Sequence, residues 1–219
     1  NPPLIRQWVT NLFLNIELEE LQIPFQNAEL PDQFDSLTNL KRVDFSRSRL
    51  VQLPKSFCQL NALETLNLND SLLTDLPDGI SQLTNLTSLD LSRTLLSKIP
   101  AELFSLRYLK TLRLEGTSIA ELPDRFETLT RLKTLSLNTS KLKQFPLSLF
   151  QLSALENLRL DGTSLIELPD RFDTSTNLKN VSINILTLTQ IPPSFFLLPA
   201  LENLNLDGTS ITEFLDRFD

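Results

Sequence analysis

Leucine and other aliphatic residues recur along this chain with a period of 23 residues. Within each copy, the pattern L-x-x-L-x-L alternates apolar and polar positions. This alternation predicts a short, half-buried strand whose leucines point inward. A fixed period in this range also predicts that each unit buries its apolar side against the next unit. The copies begin at Leu40, Leu63, Leu86, Leu109, Leu132, Leu155, Leu178 and Leu201.

The second half of each copy predicts a different backbone. Proline fixes φ and donates no backbone hydrogen bond, so it favours an extended segment followed by at most one short 3-10 turn. A large apolar residue at the eighteenth position is expected to close the core from that side. Proline occupies the fifteenth position in all but the last copy, at Pro54, Pro77, Pro100, Pro123, Pro146, Pro169 and Pro192.

The template L-x-x-L-x-L-x-x-[ST]-x-L, followed by L-P, resembles the 23-residue leucine-rich repeat, with Ser or Thr where that family usually has Asn. The resemblance implies an α/β fold: a curved solenoid with a parallel sheet on its concave face and extended or 3-10 segments on its convex side. It covers residues 18–219. A degenerate repeat at 18–39, one residue short, precedes the regular repeats, and the last of these is truncated.

The first residues have a helical rather than a strand pattern. Apolar side chains from Leu4 to Phe13, including Trp8, fall on one stripe, and Pro2 and Pro3 suit a helix start. The first repeat of a solenoid exposes an apolar edge that must be covered. We therefore predict an N-terminal capping helix within residues 1–17. The alternative is an amphipathic helix that binds a partner.

The turn after each strand carries small polar residues. The ninth position is Ser or Thr in every repeat except one, and its hydroxyl is expected to bond the backbone of the turn. Leu186 occupies that position and cannot do so, which predicts a local departure. Gly116, Gly162 and Gly208 are expected to permit the tight turn.

A second period of 46 residues lies over the first. The nineteenth position alternates between Cys58, Phe104, Phe150 and Phe196 in one set of repeats and Ser or acidic residues in the other. One interpretation is duplication of a two-repeat unit, with these phenylalanines packed under the convex surface. The other is a convex stripe that binds a second partner.

The composition provides no basis for catalysis in this segment. The chain has no histidine, one cysteine and four glycines, and no phosphate-binding glycine loop. We predict no cofactor, no metal and no enzyme activity, and a buried, unreactive Cys58. A net charge of −7 disfavours nucleic acid, and no apolar run is long enough to span a membrane. A monomer is expected.

The outward positions of the strands are therefore the candidate site, a concave face that binds a protein partner. It is polar, of mixed sign and free of aromatic residues. Its arginines predict an acidic partner, since arginine is a common interface anchor; the alternative is a solvated polar sheet. The candidate residues are Arg42, Asp44, Arg47, Asn67, Asp90, Arg93, Arg113, Glu115, Ser136, Asn138, Arg159, Asp161, Asn184 and Ile185.

The sequence of the repeats resembles the repeats of two groups of intracellular proteins. One is bacterial effectors delivered by type III or IV secretion into the host cytoplasm, where a ubiquitin-ligase domain can follow the repeats. The other is plant immune receptors, where the repeats sense a ligand. The resemblance implies a partner-binding domain of a larger protein, and the absence of methionine supports that expectation. An autoinhibitory scaffold that docks on its own catalytic domain is the alternative.

Overall fold

The computed structural model describes residues 13–23, 30–139, 141–175 and 177–211. These residues form one parallel sheet whose strands follow the order of the sequence. The short strands fall where the alternating pattern predicts them. Within the described residues they are β1 (Glu20–Gln22), β2 (Arg42–Asp44), β3 (Thr65–Asn67), β4 (Ser88–Asp90), β5 (Thr111–Arg113), β6 (Thr134–Ser136), β7 (Asn157–Arg159), β8 (Asn180–Ser182) and β9 (Asn203–Asn205).

The pairing register repeats the sequence period. Leu66 pairs with Leu89 and Leu89 with Leu112, each 23 residues further along the chain. The first pair is different, because Leu21 lies beside Val43, a step of 22 residues. The irregularity predicted from the shortened first repeat is thus confirmed. The sheet forms the concave face of a curved solenoid, as the sequence predicted.

The convex side consists of 3-10 turns that follow extended proline segments. In five of the eight turns that lie in the described residues, proline directly precedes the first 3-10 residue, as at Pro54 and Pro100. The eighteenth-position side chain of each turn is buried, as with Phe57 and Phe126. The turns are Phe34–Ser36, Lys55–Gln59, Asp78–Gln82, Ala101–Ser105, Phe126–Thr128, Leu147–Gln151, Phe172–Thr174 and Pro193–Leu197.

The predicted capping helix falls mainly on residues 1–12, which lie outside the described part of the chain. Residues 13–17 form turns. Phe13 is buried, and its ring packs edge-on against Phe34 with 5.0 Å between centroids. The Ser36 hydroxyl also donates a hydrogen bond to the Phe13 carbonyl at 3.2 Å. These contacts attach the start of the described chain to the first repeat.

The turn after the strand exists in two forms. In six repeats the eighth residue adopts a left-handed backbone, with φ between 55° and 71°. Glycine adopts this region without strain, whereas a residue with a side chain pays a cost. The predicted role of the three glycines is therefore confirmed. The left-handed residues are Arg47, Asp70, Arg93, Gly116, Gly162 and Gly208.

The repeats at Leu132 and Leu178 use the other form. Their eighth residues, Thr139 and Ile185, are β-branched, and a β-branched side chain strongly resists the left-handed region. Both side chains are instead fully buried. The prediction that Ile185 faces a partner on the concave side is wrong. The departure expected beside Leu186 is confirmed, since Leu186 is turned outward and is 76% exposed.

Replacing Gly162 with alanine tests the left-handed turn on its own. The added methyl group would meet no atom within 4 Å, so the only penalty is the backbone at φ +67°. We expect the free energy of unfolding to fall by about 1 kcal/mol. Arg93→Gly is the reciprocal control at φ 56°, and we expect it to change stability by less than about 0.5 kcal/mol. Equal stability of Gly162→Ala and the wild type in a denaturant melt would refute this explanation.

The ninth-position hydroxyls of four threonines bond the turn as predicted, whereas the buried Ser71 hydroxyl at the same position has no hydrogen-bond partner. Thr94 donates to the Leu91 carbonyl at 2.7 Å and Thr117 to the Leu114 carbonyl at 2.8 Å. Thr163 and Thr209 make the same bond three residues back, each at 2.9 Å. Each threonine hydroxyl therefore adds a second bond to a carbonyl that also accepts a backbone bond, of 3.2 to 3.4 Å, from the amide of the same threonine.

The 46-residue period corresponds to two alternating kinds of junction between repeats. Within the units that begin at Leu109 and Leu155, polar bonds join the two turns in addition to apolar packing such as Phe172 against Phe195. The Asp124 carboxylate accepts a hydrogen bond from the Ser148 amide at 2.7 Å, and the Ser148 hydroxyl accepts one from the Phe126 amide at 2.9 Å. Asp170 and Ser194 repeat this arrangement with the same 2.7 Å bond.

The bonds from Ser148 hold the pKa of Asp124 below its usual value. The ionised carboxylate is therefore the form that the fold prefers, so this junction is strongest above the ordinary aspartate pKa and weakens as the pH falls below it.

Between units the junction is aromatic. Phe104 packs edge-on against Phe126 with 5.0 Å between centroids, and Phe150 packs edge-on against Phe172 at 5.1 Å. Both nineteenth-position rings are buried. This supports duplication of a two-repeat unit and excludes Phe104 and Phe150 from an exposed convex stripe. Phe196 is 55% exposed. The residue that follows it at the spacing of Phe126 after Phe104 is Phe218, which lies outside the described residues.

Candidate functional site

The outward side chains of strands β5–β9 line a groove of about 770 Å³ on the concave face. Alternation along each strand produces this surface, because the fourth-position leucines fill the core and leave the flanking side chains outside. The groove is mostly polar. Its polar lining residues are Arg113, Glu115, Thr134, Ser136, Asn157, Arg159, Asp161, Asn180, Ser182, Asn203 and Asn205.

Three predicted arginines are paired with acids on earlier strands. Arg42 contacts Glu20, and Arg113 lies 3.7 Å from Asp90. Arg159 reaches across β6 to Glu115, which follows β5, at 4.0 Å. Their side chains remain between 47% and 63% exposed. Exposed ion pairs of this kind contribute little to stability, so the arginines are available to a partner's carboxylate at small cost.

Three of the predicted acids and amides have a local structural role. Asp44 accepts a hydrogen bond from the Ser46 amide at 2.9 Å, Asn67 from the Asn69 amide at 3.0 Å, and Asp90 from the Ser92 amide at 2.9 Å. Each bond closes a turn at the end of the strand, as short Asp and Asn side chains commonly do. These residues shape the edge of the face as well as lining it.

Asparagine amides form a ladder along the start of the later strands. The Asn203 side-chain amide donates a hydrogen bond to the side-chain oxygen of Asn180 at 2.6 Å. The Asn180 side-chain amide donates one to the side-chain oxygen of Asn157 at 2.7 Å. Asn157 in turn donates to the Thr134 hydroxyl at 3.2 Å. The ladder aligns one side of the groove. The alternation along the strands predicts that these asparagines face outward, but it does not predict that they bond one another.

A second polar cluster centres on Asp161. Its carboxylate accepts hydrogen bonds from the Ser182 hydroxyl at 2.7 Å, the Asn184 amide at 2.9 Å and the Asn138 side chain at 3.2 Å. The cluster brings together three predicted residues, Asn138, Asp161 and Asn184. It fixes the carboxylate beside the groove, where a partner's cation would meet it.

The remaining predicted residues are placed differently. Arg47 and Arg93 are exposed at the end of their strands, and Arg47 lines a separate hollow with Asp44 and Asn67. Ser136 lies in the groove floor between Arg113 and Arg159 but is only 2% exposed, so it offers a partner very little surface. The five arginines therefore do not form one continuous stripe.

The described residues contain no cluster of three or more histidine, cysteine or carboxylate side chains placed to hold a metal ion. Cys58 is buried, and this burial raises the pKa of its thiol to about 11. A thiol with such a pKa is a poor nucleophile, which confirms the expected packing role. No helix in the described part of the chain is long and apolar enough to cross a membrane.

The sequence analysis missed one group of exposed side chains, on the rim of the sheet just before β5 and β6. Arg131 places its guanidinium over the Tyr108 ring, 4.5 Å from the centroid. Tyr108 is 48% exposed, and Arg107, Lys110 and Lys133 are exposed around it. We call these five residues the basic rim. The sequence contains one signal of the basic rim, because it departs locally from the 46-residue pattern there.

Two family models match the chain. Residues 61–119 match the leucine rich repeat, and residues 123–217 match the BspA type leucine rich repeat region. TMV resistance protein N of Nicotiana glutinosa is 41% identical to this chain over 56 residues. That alignment covers 24% of this chain and only 5% of the tobacco protein.

Solved structures share the fold over most of the chain. A leucine-rich repeat protein of Leptospira interrogans has a TM-score of 0.80 and 26% identity, covering 93% of this chain and 58% of that one. The leucine-rich repeat domain of the type III effector XopL has a TM-score of 0.78 and 26% identity, covering 89% and 70%. The functional domain of InlJ from Listeria monocytogenes, at 24% identity and a TM-score of 0.72, shows the fold alone.

Proposed function

We propose that the concave face of this chain selects an acidic protein partner, because the chain is built from leucine-rich repeats and such repeats form protein–protein interaction modules. The observation that carries this proposal is the groove between Arg113 and Arg159. Both guanidinium groups are accessible, and the Asn157–Asn180–Asn203 ladder holds the adjoining wall in place. Such a surface offers fixed polar groups at low cost in side-chain entropy.

The proposed setting is a larger bacterial effector that acts in the host cytoplasm. The similarity to the XopL repeat domain supports it, since that domain belongs to a type III effector. In this setting the repeats select the protein on which another part of the effector acts. A ubiquitin-ligase domain attached to the repeats is part of the same proposal.

A plant immune receptor is the second candidate setting. The local similarity to TMV resistance protein N, 41% over 56 residues, favours it. Here the same concave face senses a ligand. The flanking sequence discriminates between the two settings: a nucleotide-binding domain before the repeats supports the receptor, and a catalytic domain after them supports the effector.

The proposed site is tested by capture from host-cell lysate with the wild type and with Arg42→Glu/Arg113→Glu/Arg159→Glu. We expect the wild type to retain a partner that the triple variant loses. The matched control is Lys55→Glu/Arg125→Glu/Arg171→Glu, which changes the net charge equally at exposed convex residues. Denaturant melts establish that both variants fold.

Loss of the partner in the concave variant alone supports the proposal. Equal retention by both variants, or loss only in the convex variant, contradicts it.

A further inference from the structure

The basic rim breaks the internal repeat of this chain at four positions. Other two-repeat units contain A-L-E at residues 62–64, 154–156 and 200–202, where this unit has Tyr108-Leu109-Lys110. They contain T-N-L at 38–40, 84–86 and 176–178, where this unit has Thr130-Arg131-Leu132. Arg107 stands where the other units have Asn61, Ser153 and Pro199. All four departures introduce a cation or the chain's one tyrosine.

The departures remove interactions that the other units make. Asn39, Asn85 and Asn177 each donate a side-chain hydrogen bond to a carbonyl of the preceding repeat, at distances between 2.6 and 3.0 Å. Arg131 occupies their position and stacks on Tyr108 instead. The local structure does not require Arg131, because asparagine already serves at the equivalent position three times.

The charge of the rim is also unusual for this chain. Lys110 replaces a glutamate, and Arg107 and Arg131 replace uncharged residues, so these three positions together are more positive than their equivalents by four charges. Among the described residues, no ion pair involves Arg107, Lys110 or Arg131, and Lys133 is paired with Glu156 at 2.6 Å. The backbone places Lys110 and Lys133 side by side, with a hydrogen bond of 2.9 Å from the Lys133 amide to the Lys110 carbonyl.

Of these two lysines, Glu156 offsets the charge of Lys133 alone, so Lys110 lies beside another lysine without a paired carboxylate of its own among the described residues. The chain as a whole has a net charge of −7, so a concentrated group of cations is unusual in it. An exposed tyrosine beside arginines is a common composition of interaction sites. The rim therefore combines charge, an aromatic ring and a broken internal pattern in one place.

We propose that the basic rim is a docking surface for an acidic segment of a protein partner, which crosses the rim and continues into the concave groove. Lys110 immediately precedes β5, and Arg113 ends that strand with its side chain 47% exposed. The two cations therefore lie on one path from the rim to the groove. This inference rests on the proposed function, because it specifies the chemistry of the partner that the concave face receives.

A protein segment fits this surface better than nucleic acid does. The groove beyond the rim contains Glu115 and Asp161 beside its arginines. A continuous phosphate backbone would meet these carboxylates, whereas a peptide can present a carboxylate at the rim and a polar or basic residue further along. Nucleic acid is therefore an outcome of the test rather than part of the proposal.

The test measures binding of a fluorescein-labelled peptide about ten residues long, and so up to about 35 Å in extent, with alternating aspartate and glutamate in one half and serine and asparagine in the other. Fluorescence anisotropy compares the wild type with Arg107→Ser/Tyr108→Ala/Lys110→Glu/Arg131→Asn. Each substitution installs a residue that this fold already holds in an equivalent repeat, so the variant is expected to fold. We expect its Kd to be at least about tenfold weaker.

Lys141→Glu/Lys143→Glu is the matched control. It lowers the net charge by the same four units, at exposed residues that follow β6 instead of preceding it. We expect it to bind within about twofold of the wild type at 0.15 M salt, where distant charges are screened.

The inference would be overturned if the wild type bound the peptide no better than a neutral peptide of equal length, or if the control lost as much binding as the rim variant. Equally tight, rim-dependent binding of a DNA duplex would also overturn it. Arg113→Glu/Arg159→Glu separates the two proposals. If the peptide binds this variant normally but fails on the rim variant, the rim is supported and the groove is not. The reverse result retains the groove and refutes the rim.

Discussion

Replacing Leu112 with alanine is expected to lower the free energy of unfolding by about 2 to 5 kcal/mol. Leu112 is the central residue of β5, is fully buried, and lies between Leu89 and Leu135 in the stack of fourth-position side chains. Its truncation leaves a cavity that the stacked repeats on either side cannot readily fill. A urea melt followed by circular dichroism measures the change.

Arg113→Ala is the matched control, because it changes the next residue of the same strand. Its side chain is 47% exposed and its ion pair with Asp90 is 3.7 Å long. We expect a loss below about 0.5 kcal/mol. Equal losses at the two positions would show that the inward and outward faces of β5 are wrongly assigned.

Phe172→Ala is expected to cost about 3 to 5 kcal/mol. The ring is only 1% exposed and lies 5.1 Å from Phe150 and 4.5 Å from Phe195, centroid to centroid. It therefore belongs to both the aromatic junction between units and the packing within its own unit. The same urea melt reports the loss.

Leu197→Ala is the control for that substitution on the convex side. Leu197 is 56% exposed, so its truncation removes little buried area and is expected to cost less than about 1 kcal/mol. A similar cost for both substitutions would contradict the view that the convex phenylalanines, rather than the surface of the turns, hold the units together.

Much of the fold follows from the local preferences of residues at fixed positions in the repeat. The leucine period set the strand register, and the shortened first repeat predicted the 22-residue step between Leu21 and Val43. Proline predicted where the 3-10 turns begin, as at Pro54. Threonine at the ninth position predicted the bonds that Thr94 and Thr117 make.

The prediction that Ile185 faces outward was wrong because it rested only on the eighth position of the repeat. The type of residue at that position also decides which way the side chain points. Six repeats place Gly, Asp or Arg in the left-handed turn, and Ile185 and Thr139 cannot share that backbone at comparable cost. The chain instead turns two residues later, so Ile185 enters the core and Leu186 faces outward.

The polar network of the concave face was not predictable from the same patterns. The sequence placed Arg159 and Glu115 outward, but their 4.0 Å contact joins strands two repeats apart. Which outward side chain meets which depends on rotamers and on the curvature of the sheet. The basic rim, in contrast, could have been found by comparing the 46-residue units with one another, since LRYLK and LNALE differ at the rim positions.

The most direct test of the central claim, that the concave face receives a protein partner, is site-specific photo-crosslinking in host-cell lysate. A photoreactive side chain is placed at position 113 or 159 in the groove, or at position 125 or 171 on the exposed convex side. The account predicts one partner band from both concave positions and none from the convex positions. A partner that crosslinks from the convex positions alone would contradict it.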